Sequence, residues 1–201
     1  MLATWFRWKG DLDSALAEAQ LAHQMDPLNA GMSWYAARQL FFLRRYPEAE
    51  AMYRQNQRDY PGHDSNVGLA AVYRAEGRFR EALDALRAGK EEAGDSAAAA
   101  RIPVATSDTQ GARMFADIAG RKLRQLAVSV RRGDLVTPGD WMSTYADLGD
   151  ADETLRWLDS MLAYHDLTLI SVTAAPSLDF IRNDPRYRAW EAKLPWRQPA
   201  P

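Results

Sequence analysis

Apolar residues recur at helical spacing along most of the chain, and the pattern of large and small residues among them returns at a nearly fixed interval. Pro27 and Pro61 are 34 residues apart, as are Ala15 and Ala49, and Ala82 follows 33 residues later. A period of this length is typical of stacked helix–turn–helix units. The chain is therefore predicted to be all-α.

The interval divides the chain into repeats at about 1–29, 30–61 and 62–89, with a more distant repeat at 137–165. In each repeat, the predicted first helix carries a large residue nine positions before a small residue of the second helix. Small residues let two helices approach closely, which favours an antiparallel helix pair. The four large–small pairs are Phe6 and Ala15, Leu40 and Ala49, Tyr73 and Ala82, and Tyr145 and Thr154.

The predicted turns carry the residues that end and begin helices. A glycine stands where the first helix must end in a left-handed residue, in Gly10-Asp11, Gly77-Arg78 and Gly149-Asp150. Asp11 and Asp150 can accept hydrogen bonds from the free N–H groups of the next helix. Asp26-Pro27 and Tyr60-Pro61 end the second helix, because proline disfavours the α conformation in the residue before it.

The remaining segments fit the repeat less well. Residues 90–136 are predicted to be an irregular helical pair, interrupted at Ile102-Pro103, with Gly120 either breaking the second helix or tolerated inside it. Residues 166–197 are predicted to be capping helices, because the last unit of an array otherwise exposes an apolar interface. We expect these helices at about Pro176–Arg182 and Pro185–Lys193, followed by a frayed tail from Trp196.

Composition narrows the functional classes. The formal charge of −2 gives no field that favours nucleic acid or an acidic membrane, and without cysteine there is neither a disulfide nor a thiolate metal site. No apolar run approaches the ~20 residues that span a bilayer. The start resembles a helix already under way, so we expect a fragment of a longer protein, cytoplasmic, or periplasmic if a membrane segment lies upstream.

No motif for chemistry is found. The three histidines do not pair at i, i+4, and there is no phosphate loop, dinucleotide fingerprint or nucleophile elbow. We therefore predict no enzyme activity, no cofactor and no metal. Asp147, Asp150, Asp152 and Glu153 cluster at one turn, but their spacing does not match a calcium loop. The basic residues of 121–132 are interpreted as a solvated helix face rather than a nucleic-acid site.

The recurring small and large residues resemble the tetratricopeptide repeat. This resemblance implies a right-handed α-solenoid, a superhelix of antiparallel helix pairs, whose concave face is lined by the first helices of successive units. In that family the concave face binds extended peptides or a partner's helix. Matching by position places six groove residues, which are Arg7, Trp8, Trp34, Arg38, Phe41 and Arg74.

The groove residues combine aromatic rings with arginines, which is typical of binding hot spots. Trp34 and Arg38 are assigned to the groove, whereas Phe41 and Phe42 fit a place in the core equally well. The family's carboxylate clamp for chaperone tails uses lysine and asparagine, and Trp34 and Arg38 occupy those positions here. A chaperone-tail receptor is therefore not expected.

The last third of the chain carries a narrower resemblance. Tyr145–Asp150, Leu155–Leu158 and Leu178–Tyr187 look like the last repeat of bacterial multidomain signalling proteins, in which such arrays follow winged-helix, adenylate cyclase or kinase domains. Ala175-Pro176 departs from their Asp-Pro, so the penultimate helix loses a cap. The resemblance implies a regulatory module that binds protein or peptide. The alternatives are a small-molecule effector sensor and a homo-oligomerisation scaffold that self-associates through Leu2, Trp5 and Phe6.

Overall fold

A computed structural model describes residues 11–61, 64–166 and 168–197. These residues form helices and turns and contain no β-strand, which confirms the all-α prediction. The chain divides into two compact units, Met1–Met114 and Phe115–Pro201. The two are described separately below.

The first unit contains six helices among its described residues and the first turns of a seventh. Each of the first five packs on the helix that follows it in the chain, and α2 also contacts α4. The helices are α1 (Leu12–Met25), α2 (Ala30–Phe42), α3 (Tyr46–Asp59), α4 (Ser65–Ala75), α5 (Phe79–Glu92), α6 (Ser96–Arg101) and α7 (Asp108–Arg132), whose later turns belong to the second unit.

The turns between paired helices share one geometry. Gly77 and Gly149 adopt φ of 75° and 72°, as their residue type predicts. Between α2 and α3, however, the left-handed residue is Arg44, with φ of 60°. The N–H of the next residue, Arg45, donates to the carbonyl of Leu40 at 3.0 Å, and Arg78 makes the same bond to Tyr73 at 2.8 Å. Arginine therefore occupies a position that other turns of this protein give to glycine.

Small residues fill the interior of the helix pairs. Ala37, Ala49, Ala70 and Ala82 are all buried, in agreement with the predicted close approach of paired helices. Consecutive helix pairs also approach closely, where the Tyr53 ring of α3 meets the backbone of α4 at Gly68. A β-carbon added there would lie 2.8 Å from Cδ1 of Tyr53 on α3, and closer still to two further ring carbons.

Two polar pairs, 33 residues apart, occupy equivalent positions in consecutive hairpins. In the α2–α3 hairpin, buried Ser33 donates its hydroxyl to the side-chain carbonyl of Asn56 at 2.5 Å. In the α4–α5 hairpin, the larger Asn66 faces Gly89, whose added β-carbon would lie 2.9 Å from the Asn66 Cβ. In both hairpins an asparagine on one helix thus meets a smaller residue on its partner.

The irregular segment is helical at both ends. Asp95 accepts from the N–H of Ala98 and caps α6, and the chain leaves helical geometry at Ile102, as expected from the proline that follows. Ser107 accepts from the N–H of Gln110 at 3.3 Å at the start of α7. α7 then continues without a break through Gly120, which is tolerated inside it.

The second unit contains the later turns of α7. The helices that follow α7 pack around one apolar cluster. Its described elements are α8 (Pro138–Leu148), α9 (Ala151–Ala163), α10 (Leu169–Val172), a 3₁₀ helix (Pro176–Ile181), α11 (Pro185–Glu191) and a second 3₁₀ helix (Pro195–Arg197). Leu158, Met161, Leu178, Tyr187 and Trp190 are among the buried members of the cluster.

Two details of the predicted capping helices are corrected. The segment expected as a helix at Pro176–Arg182 is a 3₁₀ helix, Pro176–Ile181, and Ala175 before it makes no side-chain cap, as predicted. Trp196, assigned to a frayed tail, instead packs against the apolar cluster, because its indole covers apolar surface there. Residues 198–201 lie outside the described part.

Candidate functional site

An arginine lies between two aromatic rings on α2. Trp34, Arg38 and Phe42 are spaced four residues apart and so share one face of the helix. The guanidinium carbon of Arg38 lies 5.4 Å from the ring centre of Trp34 and 5.3 Å from that of Phe42. Both distances are within the range of cation–π attraction. We call these three residues the α2 stack.

Contacts with α3 and the start of α4 fix the orientation of Trp34. Its indole N–H donates to the backbone carbonyl of Asp64 at 3.2 Å, just before α4 begins. Its ring meets Tyr53 of α3 edge to face, with the ring centres 6.4 Å apart. The indole is therefore held by neighbouring elements while it remains half-buried. An aromatic side chain with so little freedom loses little entropy on binding.

Arg38 has no carboxylate partner among the residues that the structure describes; its recorded contacts are the two rings. The charge of Arg38 also acts on Tyr53 of the neighbouring helix α3. Burial raises the pKa of the Tyr53 hydroxyl, and the positive charge of Arg38 opposes that rise. A half-buried guanidinium flanked by rings keeps its planar donors available in the direction that the rings leave open. The α2 stack can therefore bind a carboxylate together with an apolar group.

The other residues considered for the groove differ from Trp34 and Arg38 in their burial and contacts. Phe42 is 4% exposed, which places it in the core, although its ring contacts Arg38. Phe41 is half-buried and its ring neighbours are Phe42 and Tyr46, with ring centres 5.8 and 6.0 Å away. Arg74 is half-buried on α4. Arg7 and Trp8 lie outside the described residues, so their assignment to the groove stays a prediction.

A cavity of about 510 Å³ opens between α3 and α5, with α4 behind it. It contains none of the predicted groove residues. The α3 side carries the cations and the α5 side the carboxylates. The lining residues are Arg54, Gln57 and Arg58 from α3, Asn66, Leu69 and Tyr73 from α4, and Glu81, Asp84, Ala85 and Ala88 from α5.

Asn66 ties the three helices together at one end of this cavity. Its side-chain carbonyl accepts from Gln57 of α3 at 2.7 Å, and its amide donates to Glu92 of α5 at 2.8 Å. Asn66 itself is 5% exposed. A buried amide with partners on both sides fixes the width of the cavity, because neither bond can be lost without leaving a polar group unsatisfied.

An ion-pair network lies at the other end. Arg78 donates to Glu50 of α3 at 2.7 Å and to both oxygens of Glu81 at 2.7 Å each. Its guanidinium also lies 4.3 Å from the ring centre of Tyr73. Burial by itself would raise the pKa of Glu50, but Arg78 and Arg54 outweigh it, so that the pKa is lowered. Glu50 therefore stays ionised and joins consecutive helix pairs.

An aromatic stack distinguishes the second unit. Trp141 of α8 and Trp157 of α9 are nearly parallel, at 9°, with their centres 5.3 Å apart, and Tyr145 also stacks on Trp141, with ring centres 6.4 Å apart. Arg156 lies over Trp157 at 4.7 Å. Trp157 packs against the apolar cluster, so the stack joins α8 to α9. Its role in the described structure is the packing of this helix pair.

The acidic turn of the second unit is occupied by caps and ion pairs. Asp150 accepts from the N–H of Glu153, Asp152 pairs with Arg186 at 2.6 Å, and Glu153 pairs with Arg156 at 2.6 Å. No group of three or more metal-binding side chains occurs in the described ranges. These carboxylates are therefore used at helix starts and between helices.

Comparisons with known proteins do not assign the chain to a family. No protein-family model matches the chain, and no curated protein is similar to it at a significant level. The resemblance to tetratricopeptide repeats therefore stays a prediction from the residues. Within the described part of the chain, no helix is both long enough and apolar enough to cross a membrane.

Reasoning from the sequence missed the cavity. Arg54 and Arg58 are spaced to share one face of a helix, and so are Glu81 and Asp84. This spacing alone does not reveal that the two pairs face one cavity, because an intervening helix separates them in the chain. The sequence did carry one signal. The second helices of two consecutive repeats, α3 and α5, bear opposite charges at these positions.

Proposed function

We propose that this chain is a protein- or peptide-interaction module that binds its partner at the α2 stack. The observation that carries the proposal is the guanidinium of Arg38, which lies between two rings and has no carboxylate partner among the described residues. Such a group matches a partner segment that presents an aspartate, a glutamate or a C-terminal carboxylate beside an apolar side chain.

A solenoid of tetratricopeptide type is the architecture that we propose for the binding surface. The sequential packing of α1 to α5, the contact between α2 and α4, and the repeated turn geometry support it. In such an array α2 and α4 are first helices of successive units and line one face. Trp34 and Arg38 would then lie beside Arg74, the groove residue contributed by α4.

The regulatory role within a bacterial signalling or transcription protein is the wider context of this proposal. It is supported by the residues of the last third of the chain, from Val136 to Tyr187, which resemble the last repeat of such proteins. In this role the chain would position a partner protein rather than catalyse a reaction.

A peptide array tests the proposal. We expect the wild-type chain to retain peptides that carry a carboxylate next to an apolar residue, and their affinities can be measured by fluorescence anisotropy. Arg38→Gln should weaken binding about tenfold or more, because a hot-spot arginine contributes more than ~1 kcal/mol. Arg38→Lys should give an intermediate loss, since it keeps the charge but not the planar stack.

Arg101→Gln is the matched control, because Arg101 is exposed on α6 and makes no part of the stack. It should leave the affinities unchanged, and circular dichroism should show equal helix content in all variants. Retention of peptides without carboxylates, or equal binding by wild type and Arg38→Gln, would refute the proposal.

A further inference from the structure

The cavity between α3 and α5 has opposite charges on its two sides. Arg54 and Arg58 stand on α3, and Glu81 and Asp84 stand on α5. We propose that this cavity is a second binding site, for a small ligand that carries both a carboxylate and an ammonium group, such as a free dipeptide.

The two charged sides do not neutralise each other, because their members are held by partners elsewhere. Arg54 pairs with Glu50 on its own helix at 2.8 Å, and Asp84 pairs with Arg87 on its own helix at 3.1 Å. Glu81 is held by Arg78. Among the described residues no ion pair joins Arg54 or Arg58 directly to Glu81 or Asp84, although the charge of Arg54 contributes to lowering the pKa of Glu81.

Arg58 is the best placed of these groups to meet a ligand. Its guanidinium donates to the side-chain oxygen of Gln55 at 2.8 Å and has no carboxylate partner within the described ranges. It thus retains donors for a ligand carboxylate, while Asp84, which is bound to Arg87 through Oδ1, keeps its second oxygen as an acceptor for an ammonium. A ligand with both charges satisfies both sides at once.

The back of the cavity and its size restrict the ligand further. Leu69 and Tyr73 are 4% and 5% exposed and present apolar surface between the charged sides. A volume of about 510 Å³ lies in the ordinary range for small-molecule sites, which is roughly 300–1,000 Å³. Such a volume holds a dipeptide and is too small to enclose a folded segment. Asn66 is bonded to both α3 and α5, which holds the helices at one end of the cavity, while the exposed side chains of Arg58 and Asp84 become ordered on binding.

Three probes that differ only in their end charges test the site. These are alanylalanine, N-acetyl-alanylalanine, which lacks the ammonium, and alanylalanine amide, which lacks the carboxylate. We expect alanylalanine to shift the backbone amide NMR signals of Leu69 and Tyr73. The other two probes should bind up to about fivefold more weakly, as expected for the loss of one exposed charge contact.

Two variants assign each ligand charge to one side of the cavity. Arg58→Gln should abolish the preference for alanylalanine over its amide, and Asp84→Asn should abolish the preference over the acetylated form. Arg101→Gln, a change at an exposed arginine that does not line the cavity, should leave both preferences intact.

The proposal would be overturned if alanylalanine left the Leu69 and Tyr73 signals unmoved, or if the three probes bound equally. It would also fail if the preferences survived in Arg58→Gln and Asp84→Asn. The result is independent of the α2 stack, because the two sites share no residue.

Discussion

The two compact units bury different kinds of residue. In the described part of the first unit, most fully buried positions are small or polar, such as Ala37, Ala49 and Asn56. In the second unit they are mostly large and apolar, such as Leu158, Leu178 and Trp190. Close helix contact therefore holds the first unit together, whereas burial of a single large cluster stabilises the second.

This difference makes the two units sensitive to opposite changes. A close contact between helices is disturbed by adding an atom, because the backbone must move to make room. A large apolar cluster is disturbed by removing atoms, because a cavity remains and apolar contacts are lost. Substitutions that add or remove atoms should thus distinguish the two units.

The largest effect is expected from Leu158→Ala in the second unit. Leu158 is fully buried, and truncation of such a leucine costs about 2–5 kcal/mol. Urea denaturation followed by circular dichroism measures the loss. The control is Leu135→Ala, because Leu135 is 93% exposed and its truncation should change stability by less than about 0.5 kcal/mol. Equal stabilities of the two variants would contradict the importance of the cluster.

A smaller effect is expected from Gly68→Ala in the first unit. The new methyl group would overlap the ring of Tyr53, so α3 and α4 must separate, at a cost of about 1–3 kcal/mol. Gly120→Ala provides the comparison, since its added β-carbon meets only the end of Arg124 at 3.8 Å. That variant should gain up to ~1 kcal/mol from higher helix propensity. Thermal unfolding of both variants should therefore give shifts of opposite sign.

The smallest effect is expected from Glu50→Gln, which weakens the ion-pair network. The lowered pKa of Glu50 means that its carboxylate stabilises the fold above about pH 4.3, the unfolded value, and that this stability is lost as the pH falls through the lower folded pKa. At pH 7 the variant should lose about 1 kcal/mol or less.

Melting temperatures of wild type and Glu50→Gln check this prediction. They are measured at about pH 7, 5 and 3, which roughly spans the pH range in which glutamate carboxyl groups titrate. The difference between the two proteins should shrink as the pH falls, because Glu50 of the wild type takes up a proton and its ion pairs are lost. Glu18→Gln serves as the control, because Glu18 makes no ion pair among the described residues, and it should show no such trend. A constant difference at every pH would exclude the charge of Glu50 as its cause.

Much of the helical framework is predictable from the sequence because single residue types mark its turns. Gly77 and Gly149 indicate residues with left-handed backbone conformation, and Asp95 and Asp150 indicate the starts of helices. Arg44 could not be recognised in this way, because arginine is common in helices and only its neighbours force φ to 60°. The pairs Ser33–Asn56 and Asn66–Gly89 were missed as well, since the residue types at these equivalent positions differ between the two hairpins.

The candidate site was predictable only where it lies on one helix. The spacing of Trp34 and Arg38 places the two on the same face of α2, and the structure brings their side chains together. The burial of Phe42 depends on what covers α2, which one helix does not encode. The cavity of Arg58 and Asp84 depends on three helices and on partners that hold its charges apart.

The seat of Tyr53 against Gly68 also has a dynamic consequence. Its ring occupies the space that a side chain at residue 68 would fill. We therefore expect a half-turn of the ring about its Cβ–Cγ bond to need more room than this contact leaves, so that α3 and α4 must move apart briefly. The rate at which the Tyr53 ring flips would therefore report how often α3 and α4 separate.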